Sequence, residues 1–338
     1  MAMGSDDRRV AVIGAGSWGT ALAIHLSRHG RAVVLRALEP EVVEGIAETR
    51  HNPLFLSEFE VPDSLEVTGD LDAAVNGADV IVSAVPVPYV RETLGELPSL
   101  TEGSTVVTVS KGIEADTLLT PHDILTDIGV EPERIVSLSG PSFARDVGRR
   151  HPVAVVSAGR DPRRAEQIQH LFASDRFRVY VSEDIVGVEI GGALKNVIAL
   201  ATGMSDGMEL GDSARAGLIT RGLAEITRIG LAVGGRAETF AGLSGMGDLA
   251  LTCAGELSRN RRVGLEIGRG RTLGDVTEEM NEVAEGVLTT RSACALAQRM
   301  NVELPITEQV HRILFEDVRP QEVLESLLSR RLRPETWS

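Results

Sequence analysis

Gly14-Ala15-Gly16-Ser17-Trp18-Gly19 sets three glycines at G-x-G-x-x-G spacing directly behind the apolar run Val10-Ala11-Val12-Ile13. The spacing suits a dinucleotide phosphate. Gly14 permits a tight turn, Gly16 leaves out a side chain that a pyrophosphate would strike, and Gly19 lets the next helix pack close. The backbone N–H groups of that turn and of the helix start would face the diphosphate. Three glycines can also form a turn with no ligand. The strand before them and the apolar-periodic run after them (Ala21 to Leu26, broken at Gly30) favour the nucleotide.

Three more places could carry chemistry. Lys195 lies in the most apolar long helical run of the chain, where burial without a partner would lower its pKa and fit it for acid–base work. A lysine snorkelling from the helix edge is the other reading. Lys111 stands between a strand end and Gly112, where it could meet a phosphate or a carbonyl, or be an ordinary turn lysine. Ser258-Arg259-Asn260-Arg261-Arg262 is a basic cluster at a helix start with Ser258 as N-cap. Such a start binds anions, unless it is only a solvated basic face.

The sequence contains no H-E-x-x-H pattern, and its one H-x-x-x-H spacing, His25 to His29, lacks that glutamate, so no metal site is expected. It contains no P-loop. Cys253 and Cys294 are the only cysteines and are expected to be small buried residues.

These residues need an α/β scaffold to bring them together. Strands are expected at 10–13, 32–35, 78–85, 104–109, 134–138, 151–157 and 177–181, alternating with helical patterns that include 41–50, 71–75, 89–97, 118–128 and 163–172. This is an open, mostly parallel Rossmann-like sheet with helices on both faces. Gly14, Arg36, Pro86, Lys111 and Ser139 all fall at strand carboxyl ends, where ligands bind in such sheets. From Asp184 the strand signal nearly vanishes. Helices are expected at 185–201, 214–233, 259–267, 275–280, 289–300, 305–315 and 320–328. Two domains follow, a dinucleotide-binding domain over 8–183 and an all-helical substrate domain over 184–332, with the site between them. Gly191-Gly192 inside the first of these helices fits either close helix packing or close approach of a ligand.

The chain has 338 residues, 43% of them apolar, 3% aromatic, and a formal charge of −15. That charge disfavours nucleic acid and anionic membranes, and scarce aromatics disfavour base-stacking surfaces. Residues 1–9 lack the apolar core of a signal peptide, and the apolar runs look too short to span a bilayer. A cytoplasmic protein with no membrane insertion is expected.

Several longer motifs carry a resemblance. They are Gly14 through Ala23, Ser110-Lys111-Gly112, Ser139-Gly140-Pro141-Ser142-Phe143-Ala144, Gly192 through Val197, Gly245-Met246-Gly247-Asp248-Leu249, Thr252-Cys253, Ser258 through Arg262, and Pro305-Ile306-Thr307. In this order they resemble bacterial NAD(P)-dependent glycerol-3-phosphate dehydrogenase over about residues 9 to 330. The resemblance implies reduction of dihydroxyacetone phosphate to sn-glycerol 3-phosphate for phospholipid synthesis, by a cytoplasmic homodimer. It implies Lys195 as the catalytic lysine, with Lys111 and Asp248 as its companions. Substrate contacts would be Lys111, Gly140, Ser142, Lys195, Asp248, Ser258, Arg259 and Asn260. Cofactor contacts would be Gly14, Gly16, Ser17, Trp18, Gly19, Lys111, Ala144, Arg259, Val283 and Glu285.

The chain departs from the family pattern after the second strand, where it has Arg36-Ala37-Leu38-Glu39 and lacks the usual basic residue at 38. A basic residue near a strand end accommodates the 2′-phosphate of NADP, and an acidic one the 2′-hydroxyl of NAD. Arg36 is two residues away, on the same side of an extended chain. Arg36 and Glu39 together leave the preference between NAD and NADP open. Two other readings compete: a reductase of the 2-ketopantoate or 6-phosphogluconate type, and a cofactor-binding sensor without turnover. Ser258-Arg259-Asn260 and Gly192 to Val197 argue against the first, and the joint presence of Lys195, Asp248 and Arg259 against the second.

Overall fold

The structure is a computed structural model that describes residues 8–95, 103–279 and 284–329. The expected helix ends at Leu97 and Met280, the expected cofactor contact Val283, and residues 330–332 of the helical domain lie outside these.

Among the described residues eight strands form one sheet: β1 (Arg9–Ile13), β2 (Ala32–Arg36), β3 (Leu65–Thr68), β4 (Val80–Ser83), β5 (Thr105–Thr108), β6 (Ile135–Ser139), β7 (Val153–Gly159) and β8 (Phe177–Ser182). Their order is β3-β2-β1-β4-β5-β6-β7-β8. All pairs are parallel except β6 with β7. The chain leaves β1 toward β2 on one side and returns to β4 on the other. This switch point opens a crevice at the carboxyl ends of β1 and β4. The edge strand β3 was not expected, because four residues with one buried position carry little periodic signal.

The helices between strands are α1 (Ser17–Arg28), α2 (Pro40–Thr49), α3 (Leu71–Val75), α4 (Val87–Gly95), α5 (Pro121–Asp127), α6 (Ala144–Gly148) and α7 (Pro162–Phe172). The helix expected over 118–128 is shorter: Leu118 adopts a left-handed φ of 62°, and Pro121 opens α5. Strand residues alternate between two cores. Val10 and Val12 pack with α1, α2 and α7 residues such as Leu22, Ile46 and Phe172. Ala11 and Ile13 pack on the other face with Val75, Val90 and Ile124 of α3, α4 and α5. Burial on both faces explains why these strands read as continuous apolar runs.

After Ser182 the structure is helical: α8 (Ile185–Gly207), α9 (Asp212–Ala232), α10 (Ala237–Ala241), α11 (Asp248–Ala254), α12 (Arg259–Gly268), α13 (Leu273–Glu278), α14 (Glu285–Met300), α15 (Pro305–Phe315) and α16 (Pro320–Leu328), with a π-helical turn at Leu243–Gly247 before α11. Because β7 and β8 run opposite to β6, the chain leaves β8 at the end of the sheet far from the crevice. α8 must therefore travel back along the sheet. Its 23 residues span about 35 Å at 1.5 Å per residue. Ile185 and Val188 in its first turns join the core under the sheet, and Gly192 reaches the end of β6 beside Ser139. By length and composition α8 could cross a membrane, which corrects the expectation that no apolar run approaches a span. It is instead the central helix of its own core, with 94% of that apolar window buried in protein.

Glycines let α12 lie against α8. A Cβ on Gly203 would sit 2.0 Å from the Arg261 carbonyl oxygen, and one on Gly264 would sit 2.1 Å from that of Leu200. Asp206 near the end of α8 fixes the crossing, accepting from Arg215 Nε and Arg261 Nε at 2.8 Å each. Glu225 on α9 accepts from the backbone N–H groups of Ile306 and Thr307 at the start of α15.

Candidate active site

A cleft of about 910 Å3 runs from the end of the sheet to the helical half. The turn after β1 forms one end. Gly14 has φ +107°, and a Cβ there would meet the Ala84 carbonyl oxygen at 2.8 Å. A Cβ on Gly19 would meet the Gly14 carbonyl oxygen at 1.9 Å, so the helix start packs onto the turn only with glycine. A Cβ on Gly16 would meet nothing within 4 Å: it would project into open space at the cleft wall. The turn thus has the form of a cradle for a diphosphate at the head of α1, and the residues present fit a dinucleotide cofactor. Ser17, Trp18, Arg36, Leu38, Glu39 and Ala144 line the same end. Asn52 braces the turn from behind, donating to the Ala15 carbonyl and to Thr20 Oγ1.

At the other end two lysines share one carboxylate. Lys195 Nζ donates to Asp248 Oδ1 at 2.5 Å and to Thr252 Oγ1 at 3.0 Å. Lys111 Nζ donates to Asp248 Oδ2 at 2.6 Å and to the Gly140 carbonyl at 3.3 Å. Lys195 is 7% exposed, so it does not snorkel. Its ammonium is lowered to about 8: burial pulls it down most, Asp248 pulls it up, and Lys111 pushes it down. Asp248 is positioned by the tight turn before α11. A Cβ on Gly245 there would collide with the Phe240 backbone at 2.1 Å.

Gly191-Gly192 is now explained by packing. Gly191 backs onto the Ser244 carbonyl oxygen, and Gly192 lies against Ser139 Oγ and the aliphatic stem of Lys111. The small residues make room for the second lysine rather than for a ligand.

The basic cluster forms the third wall. Ser258 is the N-cap of α12, its Oγ accepting from Arg261 N at 3.2 Å. Arg259 is exposed on the cleft with Asn260 beside it. Asn260 donates to Asn196 Oδ1 at 3.0 Å and accepts from Gly286 N at 2.9 Å, tying α12 to α8 and α14. Glu285 lines the cleft at the head of α14. Burial raises its carboxyl pKa, against the opposing pull of Arg259, Lys195 and Lys111.

Most of the expected residues therefore share one cleft, including Ser142, whose Oγ donates to the Gly140 carbonyl at 3.1 Å. Two do not line it. Asp248 is 1% exposed and stands behind the lysines. Gly140, at φ +139° and packed on Val155, presents its carbonyl to Lys111. Val283 is outside the described residues. Asn196 and Thr252 line the cleft without having been assigned a part. A second polar residue beside Lys195 in so apolar a helix was the available signal for Asn196. Thr252 stood in the Thr252-Cys253 motif, one turn after Asp248, with no role assigned to it. Cys253 is buried as expected, while Cys294 is only partly buried; desolvation pushes both thiols up to about 12.

Comparison with known proteins agrees with this geometry. Residues 9–165 match the N-terminal family model of NAD-dependent glycerol-3-phosphate dehydrogenase, and residues 184–325 match the C-terminal one. A glycerol-3-phosphate dehydrogenase [NAD(P)+] of Geobacter sulfurreducens is 52% identical over 333 residues, covering 97% of this chain and 99% of that one. The chain belongs to the NAD-dependent glycerol-3-phosphate dehydrogenase family. A second family relative, from Koribacter versatilis, is 49% identical over 97% of this chain and 99% of its own. Among solved structures, the glycerol-3-phosphate dehydrogenase of Coxiella burnetii superposes with a TM-score of 0.91 at 38% identity, covering 96% of this chain and 99% of that one. A ketopantoate reductase from Ralstonia eutropha JMP134 has a TM-score of 0.59 at 16% identity over 94% of this chain and 99% of its own. That likeness is of fold alone, and the competing keto-acid reductase reading gains nothing from it.

Proposed function

We propose that this chain interconverts dihydroxyacetone phosphate and sn-glycerol 3-phosphate with NAD(P)(H), and that the residues around Asp248 and Arg259 carry the chemistry. The observation that carries this reading is the Lys195–Asp248–Lys111 cluster facing, across one cleft, the head of α12 with Arg259. Such a site suits a small molecule with a reducible carbonyl at one end and an anion at the other.

When bound, the nicotinamide supplies hydride to the C2 carbonyl. Lys195, mostly ammonium at neutral pH, donates its proton to the C2 oxygen as negative charge develops there. Lys111 adds positive potential at the same atom. Asp248 positions both lysines and keeps Lys195 charged despite burial. In the oxidative direction the neutral Lys195 amine takes the proton from the C2 hydroxyl. Arg259 and the start of α12 hold the phosphate, with Ser258 and Asn260 shaping its seat. Ser142 and the Gly140 carbonyl complete the wall beside Lys111. At the other end Gly14, Gly16, Ser17, Trp18, Gly19 and Ala144 would hold the dinucleotide, with Glu285 as a further contact to it.

These local cations explain how a chain of charge −15 captures a dianion. The domains fall at 8–183 and 184–332, and the enzyme acts as a cytoplasmic homodimer that feeds phospholipid synthesis. Light scattering of the purified protein tests the dimer. The decisive experiment follows nicotinamide absorbance with dihydroxyacetone phosphate and with dihydroxyacetone, using NADPH and NADH in parallel. Consumption with the phosphorylated ketone alone is expected. Equal consumption with both ketones would remove the phosphate seat from the reading, and no consumption with either would remove the function.

A further inference from the structure

The cofactor end of the cleft holds a cation that the reaction leaves unused. Arg36 is the last residue of β2, in register with Ile13 at the end of β1. Its carbonyl accepts from Gly14 N at 3.0 Å, which pins it to the first glycine of the phosphate turn. The side chain is half-buried on the cleft wall, and its Nε is buried without a hydrogen-bond partner. Among the described residues no carboxylate pairs with it. Other arginines of this acidic chain are neutralised: Arg91 by Glu114 and Asp127, Arg145 by Glu58, Arg215 and Arg261 by Asp206. Leu38, 70% exposed beside it, offers neither charge nor hydrogen bond. Glu39 lines the same wall at the N-cap of α2 without bonding to the guanidinium.

We propose that Arg36 is the specificity residue for the cofactor and reads the 2′-phosphate of the adenosine ribose, so that the protein binds NADP(H) more tightly than NAD(H). The inference rests on the dehydrogenase reading only for the presence of a nicotinamide dinucleotide. The position supplies the chemistry. With a diphosphate at the head of α1, the end of β2 is where the ribose hydroxyls arrive. A guanidinium with an open donor there gains charge-assisted hydrogen bonds from a phosphate dianion, and much less from a hydroxyl. Burial of Nε turns this into discrimination: with a bare 2′-hydroxyl much of that donor capacity stays unsatisfied, and an unmade buried bond costs affinity.

Calorimetric titration of the purified protein with NADP+, NAD+, 2′,5′-ADP and 5′-AMP tests this without turnover. The 2′-phosphorylated member of each pair is expected to bind about ten-fold tighter or better, the factor given by one charge-assisted hydrogen bond. Arg36→Ala should weaken NADP+ by about that factor and NAD+ by less than about three-fold, with Arg36→Lys recovering part of the loss. The NADP+ preference of the wild type should also shrink as salt rises. Equal or tighter binding of NAD+ by the wild type would overturn the proposal and point to Glu39 as the reading group. So would an Arg36→Ala variant that weakens both cofactors alike. Turnover of dihydroxyacetone phosphate is scored separately. A protein that prefers NADP+ but reduces nothing would refute the catalytic reading alone, and one that reduces the ketone with no cofactor preference would refute only this one.

Discussion

Replacing Asp248 by Asn should move the pH profile of ketone reduction, because that carboxylate keeps a buried ammonium charged. Lys195 Nζ lies 2.5 Å from Asp248 Oδ1, with Lys111 at 2.6 Å on the other oxygen. Unit charges about 4 Å apart interact by roughly 4 kcal/mol at an effective dielectric near 20, or about 3 pKa units. Removing the carboxylate also leaves two ammonium groups facing each other, while water entering the site offsets part of the loss. If half the Coulomb term survives that offset, Lys195 falls from about 8 to roughly 6.5. At about pH 7.5 its ammonium fraction then drops from roughly three quarters to roughly one tenth, an eight-fold loss of the proton donor. The assay is kcat for reduction at saturating substrate between about pH 5.5 and 9.5. The wild type should lose activity above about 8, and the variant should lose it above roughly 6.5 and recover on acidification. An alkaline limb still near 8 in the variant, or a loss of kcat that is the same at every pH, would refute the role given to Asp248.

Arg259→Ala should raise KM for dihydroxyacetone phosphate by roughly 30-fold or more, as for loss of a charge-assisted phosphate contact, with little effect on the slow reduction of dihydroxyacetone. A matching loss with both ketones would place Arg259 at the cofactor instead. Burial raises the Glu225 carboxyl to about 7, so the folded state keeps a proton that the unfolded chain has already lost. Stability from this group is therefore full below the unfolded carboxylate pKa and is lost as pH rises toward 7, by roughly 3 kcal/mol in all. Glu225→Gln should remove that slope; denaturant titrations at acidic and neutral pH that fall in parallel for variant and wild type would contradict it. Gly203→Ala should destabilise by roughly 1–3 kcal/mol or more, because its Cβ would lie 2.0 Å from the Arg261 carbonyl oxygen. An unchanged Tm would show that the α8–α12 crossing has slack.

The phosphate turn was legible in the sequence because its information is local. The tight turn at Gly14, the close approach at Gly19 and the open wall at Gly16 are all properties of six consecutive residues. The same holds for Ser258, whose cap and helix start are one short segment, and for strands whose burial on both faces writes an apolar run. Lys195 was legible as an anomaly of composition, a charge in the most apolar helix, but not as buried or edge-exposed. That depended on α9, α11, α12 and α14, which surround α8 from distant parts of the chain.

Tertiary structure alone decided the rest. No local pattern marks the reversal between β6 and β7, since a strand buried on both faces looks the same in either direction. That reversal places the start of α8 at the far end of the sheet, makes the helix long, and brings Lys195 back to the crevice. It also sets Gly192 beside Lys111, so the two lysines reach a single carboxylate supplied by a third segment, Asp248. Their shared charge, and the lowered pKa it comes with, exists only once these segments meet out of water. The sequence determined which groups are available and the local shapes that hold them; long-range packing determined their distances, burial and protonation, because desolvation and Coulomb terms depend on neighbours that the order of residues does not place.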